Sequence, residues 1–184
     1  MNNKGLIIAI LAEGNAEQAI INVLLEHDAL VFNKEKLLQE EVLRVRNAKT
    51  FAKQYLNKGM DKKVKIYRIL DSPKENFKLP KAYEKKIDSI VNVHTKPEIE
   101  ILLVLYYGDY NKFNQSNLKP SSFVKESYKK IANVKSYDTV FNFWNKNFSD
   151  LLDVLKKYKS MHKDDTTIYD LLKDNLKYNC KEII

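Results

Sequence analysis

The stretch that most constrains the fold of this chain is residues 4–27, KGLIIAILAEGNAEQAIINVLLEH. Its residues 6–11 form an unbroken apolar run that is too short for a stable helix, and such runs are typical of strands buried on both faces of a parallel sheet. Apolar residues then recur at three- and four-residue spacing, which predicts an amphipathic helix over 16–27. Gly14 suits the tight turn between them and Asn15 suits the helix N-cap, so the stretch predicts a strand, a turn and a helix.

Glu13 stands just after this strand, at the carboxyl end where open α/β sheets place their ligands. Two interpretations of this residue are open at this point. A carboxylate beside the N-terminus of a helix is stabilised by the helix dipole and needs no further role. A carboxylate at a strand end is equally suited to catalysis or to ligand binding.

Similar patterns continue along the chain. An apolar run over 29–32, an alternating pattern over 64–70 that ends apolar, and a short segment over 87–93 predict three further strands, separated by segments with helical periodicity. This alternation favours an α/β fold with a mainly parallel sheet and helices on both faces. Beyond residue 107 the pattern is helical, so we predict an α/β domain over 1–107 and a helical C-terminal extension over 108–184 packed on it. The predicted helices cover 34–56 (one or two helices), 98–107, 121–134, 137–159 and 166–179.

A second carboxylate follows a second apolar strand. Residues 64–70 (VKIYRIL) lead directly into Asp71, and Pro73 then breaks the strand. Because the carboxyl ends of parallel strands share one edge, Glu13 and Asp71 are expected to converge there. Magnesium ions prefer a few carboxylate oxygens together with waters and phosphate oxygens, so one ion fits between the two side chains.

Two more carboxylates, Glu98 and Glu100, stand at the head of the predicted helix over 98–107. Glutamates in the first turn of a helix are favoured by its dipole, which accounts for one of them without a functional role. Since the two lie only two residues apart on a helix, they are expected to point in different directions, with Glu100 rather than Glu98 in the site.

Together these pieces resemble the Toprim fold, and more closely its RloB-like branch of phage-defence (abortive infection) nucleases. Residues 11–17 (LAEGNAE) are similar to the Toprim glutamate motif, and residues 69–73 (ILDSP) to its Asp-x-Asp motif. Residues 96–103 (KPEIEILL) resemble the Asn-Pro-x-x-Glu motif and apolar helix of the RloB-like branch. The order and spacing of the three matches cover residues 5–107.

The resemblance implies Mg²⁺-dependent or Mn²⁺-dependent cleavage of phosphodiesters, with Glu13, Asp71 and Glu100 as catalytic residues. It implies RNA rather than DNA as the preferred substrate, because small Toprim proteins without an ATPase in the same chain resemble the RNA-cutting members. The implied metal ligands are Glu13, Asp71, Glu75 and Glu100.

The chain departs from these motifs at two positions. Pro73 stands where Asp-x-Asp has its second aspartate, which leaves Glu75 as the nearest spare carboxylate, and Lys96 stands where the RloB-like motif has asparagine. These departures keep two other functions open. The chain is either a catalytically inactive module that binds nucleic acid or a partner ATPase, or an enzyme that processes phosphoryl groups on a nucleotide.

The charge of the chain bears on its partner. Its 32 Lys and Arg residues against 24 Asp and Glu give a formal net charge of +8, which favours salt-sensitive binding to polyanions. A compositional bias towards lysine also produces such a charge, and charged helix faces are usually solvated surfaces. The candidate phosphate contacts on the predicted helices are Lys49, Lys53, Lys125, Lys129 and Lys130.

Cysteine content and hydropathy bear on location. Cys180 is the only cysteine, so no disulfide forms within one chain, which is typical of the reducing cytosol. The apolar stretch near the N-terminus is too short to span a bilayer. We therefore expect a cytoplasmic protein without membrane contact, and the sequence does not indicate its oligomeric state.

Overall fold

The computed structural model describes residues 5–57, 59, 61–71, 76–129, 131 and 133–178. Its centre is a three-stranded sheet in the order β1–β2–β3, in which both neighbouring pairs are parallel. The predicted α/β fold with a parallel sheet is confirmed, and three of the four predicted strands form within one residue of their predicted ends. The strands are β1 Ile7–Ala12, β2 Val64–Leu70 and β3 Ile87–His94.

Helices make up most of the remaining regular structure. The α-helices are α1 Asn15–Glu26, α2 Ala48–Phe51, α3 Ile101–Tyr106, α4 Tyr110–Gln115, α5 Pro120–Ser127, α6 Tyr137–Lys146, α7 Phe148–Met161 and α8 Asp174–Tyr178. The described residues also form a π-helical turn at Ala52–Leu56 and four 3₁₀ helices, at Lys34–Lys36, Leu38–Glu40, Lys81–Lys86 and Ile168–Leu171. In the described part of the chain, no helix has the length and apolar character needed to cross a membrane.

Both faces of β1 and β2 are almost wholly buried, as their apolar residues predict, whereas Asp88, Ile90 and Asn92 leave one face of β3 exposed. Side chains alternate between the two faces of a strand, and alternate residues of β1 belong to two different core clusters. Ile8, Ile10 and Ala12 pack in the larger cluster, which includes residues of α1, α3, α6 and α7. Ala9 and Leu11 pack in the smaller one, which includes residues of α2. Helices therefore lie on both faces of the sheet.

The C-terminal helices belong to the larger core rather than to a separate one. Trp144 of α6 is only 1% exposed and shares a cluster with Ile10 of β1 and Ile20 of α1. The predicted helix over 137–159 is two helices, because the chain turns at Asn147, where φ is −111° and ψ is 44°. The side-chain amide of Asn147 donates to the Phe143 carbonyl at 2.7 Å and so closes the end of α6.

The predicted strand over 29–32 is wrong. Its backbone makes a short antiparallel bridge to the C-terminal segment instead of joining the sheet, with Leu30 opposite Leu172. The Val31 N–H donates to the Leu171 carbonyl at 2.9 Å, and the Lys173 N–H donates to the Ala29 carbonyl at 2.9 Å. Of the apolar side chains that suggested a strand, Ala29, Leu30 and Phe32 are buried, whereas Val31 is 51% exposed. The backbone pairs with residues about 140 positions later in the chain.

The predicted helix over 34–56 is also largely wrong. Helix α2 and the π-helical turn occupy only its end, and two 3₁₀ turns are followed by an extended segment over 41–47. In that segment the Leu43 N–H donates to the Ile10 carbonyl at 2.8 Å, and the Ala12 N–H donates to the Leu43 carbonyl at 3.0 Å. The segment therefore hydrogen-bonds irregularly to the outer edge of β1 and covers backbone groups that would otherwise be unpaired.

Asn47 determines where the extended segment ends and α2 begins. Its side-chain oxygen accepts from the Lys49 N–H at 2.8 Å and from the Thr50 N–H at 3.2 Å, which is N-cap geometry. We expect Asn47→Ala to lower the free energy of unfolding by about 1 kcal/mol in urea denaturation. The control is Asn142→Ala on the exposed side of α6, which is expected to change stability by less than about 0.5 kcal/mol. Equal effects of the two substitutions would contradict the capping role.

Candidate active site

The carboxyl ends of the three strands carry a group of acidic side chains. Glu13 lies directly after β1 and Asp71 directly after β2, while Glu98 and Glu100 lie on the segment that follows β3. All four side chains line one pocket, together with Glu17 from the first turn of α1. The convergence predicted for Glu13, Asp71 and Glu100 at one edge of the sheet is therefore present in the structure.

This carboxylate pocket has a volume of about 140 Å³, which is room for several waters because one water needs roughly 10–15 Å³ of such space. Two cations, Arg46 and Lys135, line the pocket beside the five carboxylates. Arg46 comes from the extended segment before α2, and Lys135 from the segment before α6. The sequence alone did not place either cation beside the acidic residues.

Glu13 points into the protein rather than into solvent. Its side chain is only 12% exposed, and its Oε2 accepts from Arg46 Nε at 2.6 Å, while the Arg46 side chain is 74% exposed. Arg46 reaches Glu13 because residues 41–47 run along the edge of β1. The guanidinium of Arg46 is therefore the exposed partner of a largely buried carboxylate.

Glu17 is a site residue that was not predicted. Gly14 is the N-cap of α1 in place of the predicted Asn15, with an ordinary extended backbone at φ −100° and ψ 160°. Its lack of a side chain leaves room for the Glu17 carboxylate, which would have to move if a Cβ were present there. Burial raises the pKa of Glu17, and the negative charge of Asp71 raises it further, against the lowering effect of its own backbone N–H. The available signal was its position one helical turn after Glu13.

Glu98 also lines the pocket, which contradicts the expectation that it points away from Glu100. Helix α3 begins only at Ile101, so the two glutamates lie in a turn where helical spacing does not apply. Glu98 Oε2 accepts from the Ser121 N–H at 2.9 Å, and its Oε1 lies 4.0 Å from Lys135 Nζ. Glu98 therefore joins the start of α5 to the carboxylate pocket.

Glu100 is the most strongly perturbed carboxylate of the site. The residue is only 6% exposed, and this burial raises its pKa to about 7. Its own backbone N–H and the cation of Lys135 lower the pKa, whereas the charges of Glu98 and Glu17 raise it. Burial is therefore the main cause of the raised pKa of Glu100, and the nearby carboxylates add a smaller effect in the same direction.

The donor chemistry of the pocket fits a hard divalent cation, because carboxylate oxygens are the ligands that Mg²⁺ and Mn²⁺ prefer. The positions of the side chains are not those of a finished ligand set. Within the residues that the structure describes, no three His, Cys, Asp or Glu side chains stand together as metal ligands. Glu75, the fourth predicted ligand, lies outside the described residues.

The predicted phosphate contacts have different positions. Lys49, Lys53, Lys125 and Lys129 are all exposed, and Lys130 lies outside the described residues. Lys125 lines a cavity of about 420 Å³ that also contains Lys135, so it lies on a surface continuous with the carboxylate pocket.

Comparison with known proteins does not assign the chain to a family. No protein-family model, no curated protein and no solved structure matches it.

Proposed function

We propose that the chain is a metal-dependent nuclease of the Toprim type that cleaves phosphodiester bonds. The observation that carries this proposal is the carboxylate pocket, in which all three parallel strands deliver acidic side chains to one edge of the sheet. Carboxylates crowded in this way are typical of sites that bind a divalent cation and a phosphate group. The same edge is where open α/β sheets bind their ligands.

The balance of charge supports a requirement for metal. Five carboxylates and two cations line the pocket, although the whole chain has a net charge of +8. The protein surface as a whole attracts a polyanion, but the pocket itself repels a phosphate unless further positive charge is bound there. Binding of a divalent cation resolves this conflict.

Asp71 and Glu100 would hold the cation, with Glu17 and Glu98 as nearby carboxylates. When bound, Mg²⁺ or Mn²⁺ would neutralise charge on the phosphate and lower the pKa of a bound water. Once Arg46 has left it, Glu13 would accept the proton of the attacking water. As the new oxygen–phosphorus bond forms, the bond to the leaving oxygen would break, and that oxygen would take its proton from solvent.

The two cations of the pocket would orient the phosphodiester. Arg46, released from Glu13, would bind the phosphate in the planar two-pronged manner of guanidinium groups. Lys135 would supply a second positive charge, since its Nζ already lies 4.0 Å from a carboxylate oxygen of Glu98.

The biological setting is supported by the sequence resemblance. The RloB-like motifs over 11–17, 69–73 and 96–103 favour a role in anti-phage defence, with RNA preferred over DNA. A cytoplasmic location and cooperation with a separate ATPase belong to the same proposal.

A second function is favoured by specific observations. Pro73 replaces the second aspartate of the Asp-x-Asp motif, and Arg46 already neutralises Glu13. Both features suit a module that binds nucleic acid or a partner ATPase without cleaving a substrate. In that case the acidic pocket is a remnant of a catalytic site.

A nuclease assay separates the two functions. The full chain is incubated with mixed pools of RNA, single-stranded DNA and duplex DNA in Mg²⁺, in Mn²⁺ or in EDTA. We expect cleavage with either metal and none in EDTA, with RNA cleaved faster than DNA. Thermal denaturation supplies a readout besides activity, since a cation that binds the native pocket raises the melting temperature. Binding of RNA or DNA with no cleavage in either metal would support the inactive module.

A further inference from the structure

A second cavity lies beside the carboxylate pocket and differs from it in character. Its volume is about 350 Å³, and its wall is mainly apolar, formed by Pro97, Phe113, Leu118 and Pro120. Lys119 is the cation on this wall. We refer to it as the apolar cavity.

The two cavities share residues. Asp71 and Glu98 line both the carboxylate pocket and the apolar cavity, so a ligand in one space is in contact with the edge of the other. With a cation bound at the carboxylates, as in the proposed function, a molecule that spans both combines an anionic group at that cation with a flat or compact apolar group in the apolar cavity. Nucleotides within a strand have this combination, because each phosphate is joined through a sugar to an aromatic base.

The wall of the apolar cavity is held in place by the surrounding structure. The Phe113 ring meets Phe123 edge-on, with centroids 5.6 Å apart and planes at 81°. Pro120 is buried at the first position of α5, and the bond from the Ser121 N–H to Glu98 fixes the start of that helix against the acidic turn. A rigid, preformed wall favours binding because little freedom is lost when a ligand packs against it.

The lysines around the apolar cavity and the carboxylate pocket favour a nucleic-acid strand as the ligand. Lys119 lies on the wall of the apolar cavity. Lys135 lines the carboxylate pocket and also the cavity of about 420 Å³ that contains Lys125. Single-stranded nucleic acids bind where cations follow the backbone and apolar or aromatic side chains receive the bases. A base paired within a duplex is not available for such a cavity unless it leaves the stack.

We infer that the apolar cavity receives one unpaired base of the substrate, next to the phosphate that lies at the carboxylates. This inference rests on the proposed nuclease function and adds to it the class of substrate. The protein would act on single-stranded segments or on loops, and a fully paired duplex would bind poorly.

Binding of fluorescently labelled short oligonucleotides tests the inference without requiring cleavage. The wild-type chain is titrated, with Ca²⁺ in place of Mg²⁺, with single-stranded RNA and DNA and with series in which one position at a time is abasic. Loss of a stacked base costs roughly 1–3 kcal/mol, so one abasic position should weaken binding about 5- to 150-fold. The matching blunt duplex should bind more weakly than the single strand.

A matched pair of variants locates the effect. Leu118→Gln changes an apolar wall residue that is 37% exposed, and Ile90→Gln changes a similarly exposed residue, at 40%, on β3. Leu118→Gln should reduce the difference between intact and abasic strands, whereas Ile90→Gln should leave that difference unchanged. A uniform loss across all abasic positions, or a duplex that binds as well as a single strand, would overturn the inference.

The outcomes for the two proposals are distinct. Cleavage of oligonucleotides without any position-dependent abasic effect would leave the nuclease in place and remove the base site. Position-dependent binding that requires Leu118, without cleavage in Mg²⁺ or Mn²⁺, would support the base site in a chain that does not cut.

Discussion

Replacing Asp71 with asparagine is expected to lower nuclease activity by about two to four orders of magnitude, the range typical of lost charge or proton-transfer groups in active sites. The amide has nearly the shape of the carboxylate but lacks the negative charge that a cation requires. Asp71 is exposed, and its negative charge disfavours ionisation of Glu17. Neutralising Asp71 should therefore leave the free energy of unfolding unchanged or slightly raise it. Cleavage rates and urea denaturation measured on the same preparation separate the two effects.

Control variants test whether the loss belongs to the site. Asp61→Asn and Glu84→Gln change exposed carboxylates just before β2 and β3, at the amino ends of these strands and thus away from the carboxylate pocket. Both variants should retain wild-type activity. Glu13→Gln should reduce activity as strongly as Asp71→Asn, because it removes the proposed proton acceptor. If neither Asp71→Asn nor Glu13→Gln affected cleavage, these carboxylates would not be catalytic and the proposed nuclease site would be excluded.

The part of the fold that the sequence predicted well depends on local patterns. Residues 6–11 are a short apolar run and residues 64–70 alternate before ending apolar. Polar or chain-breaking residues mark the ends of both, and both form strands close to where they were expected. Parallel pairing then brings the residues after these strands to one edge. Glu13 and Asp71 were therefore predictable as neighbours, although 58 positions separate them in the printed sequence.

The secondary-structure predictions were wrong where hydrogen bonds to a distant segment of the chain decide the conformation. Residues 37–45 have apolar side chains at helical spacing, but the open edge of β1 offers hydrogen bonds that an extended chain satisfies. That extended path brings Arg46 to Glu13, so an error in secondary structure also concealed a member of the site. Glu98 was misjudged for a related reason, since α3 begins after both glutamates rather than before them.

Ionisation of Glu100 is expected to make the metal-free protein less stable as the pH rises. Its pKa is about 7 in the folded chain, compared with an ordinary value of 4.5. Because the native state holds this proton more tightly than the unfolded state, the stabilisation is complete below about pH 4.5 and is lost as the pH rises through about 7. The difference corresponds to about 3 kcal/mol of unfolding free energy. Glu17 changes stability in the same direction because its pKa is also raised.

Glu100→Gln should remove most of this dependence, because glutamine stays neutral at every pH. In EDTA, the variant is expected to exceed the wild type by about 2–3 kcal/mol at about pH 8 and to match it at about pH 5. Glu84→Gln, an exposed control, should leave the pH profile of urea denaturation unchanged. At the higher pH, Mg²⁺ should raise the unfolding free energy of the wild type, since a bound cation favours the ionised carboxylate. It should not raise that of Glu100→Gln. An identical pH profile for Glu100→Gln and the wild type would show that Glu100 ionises without cost, which would contradict its burial in the carboxylate pocket as a proton-holding side chain.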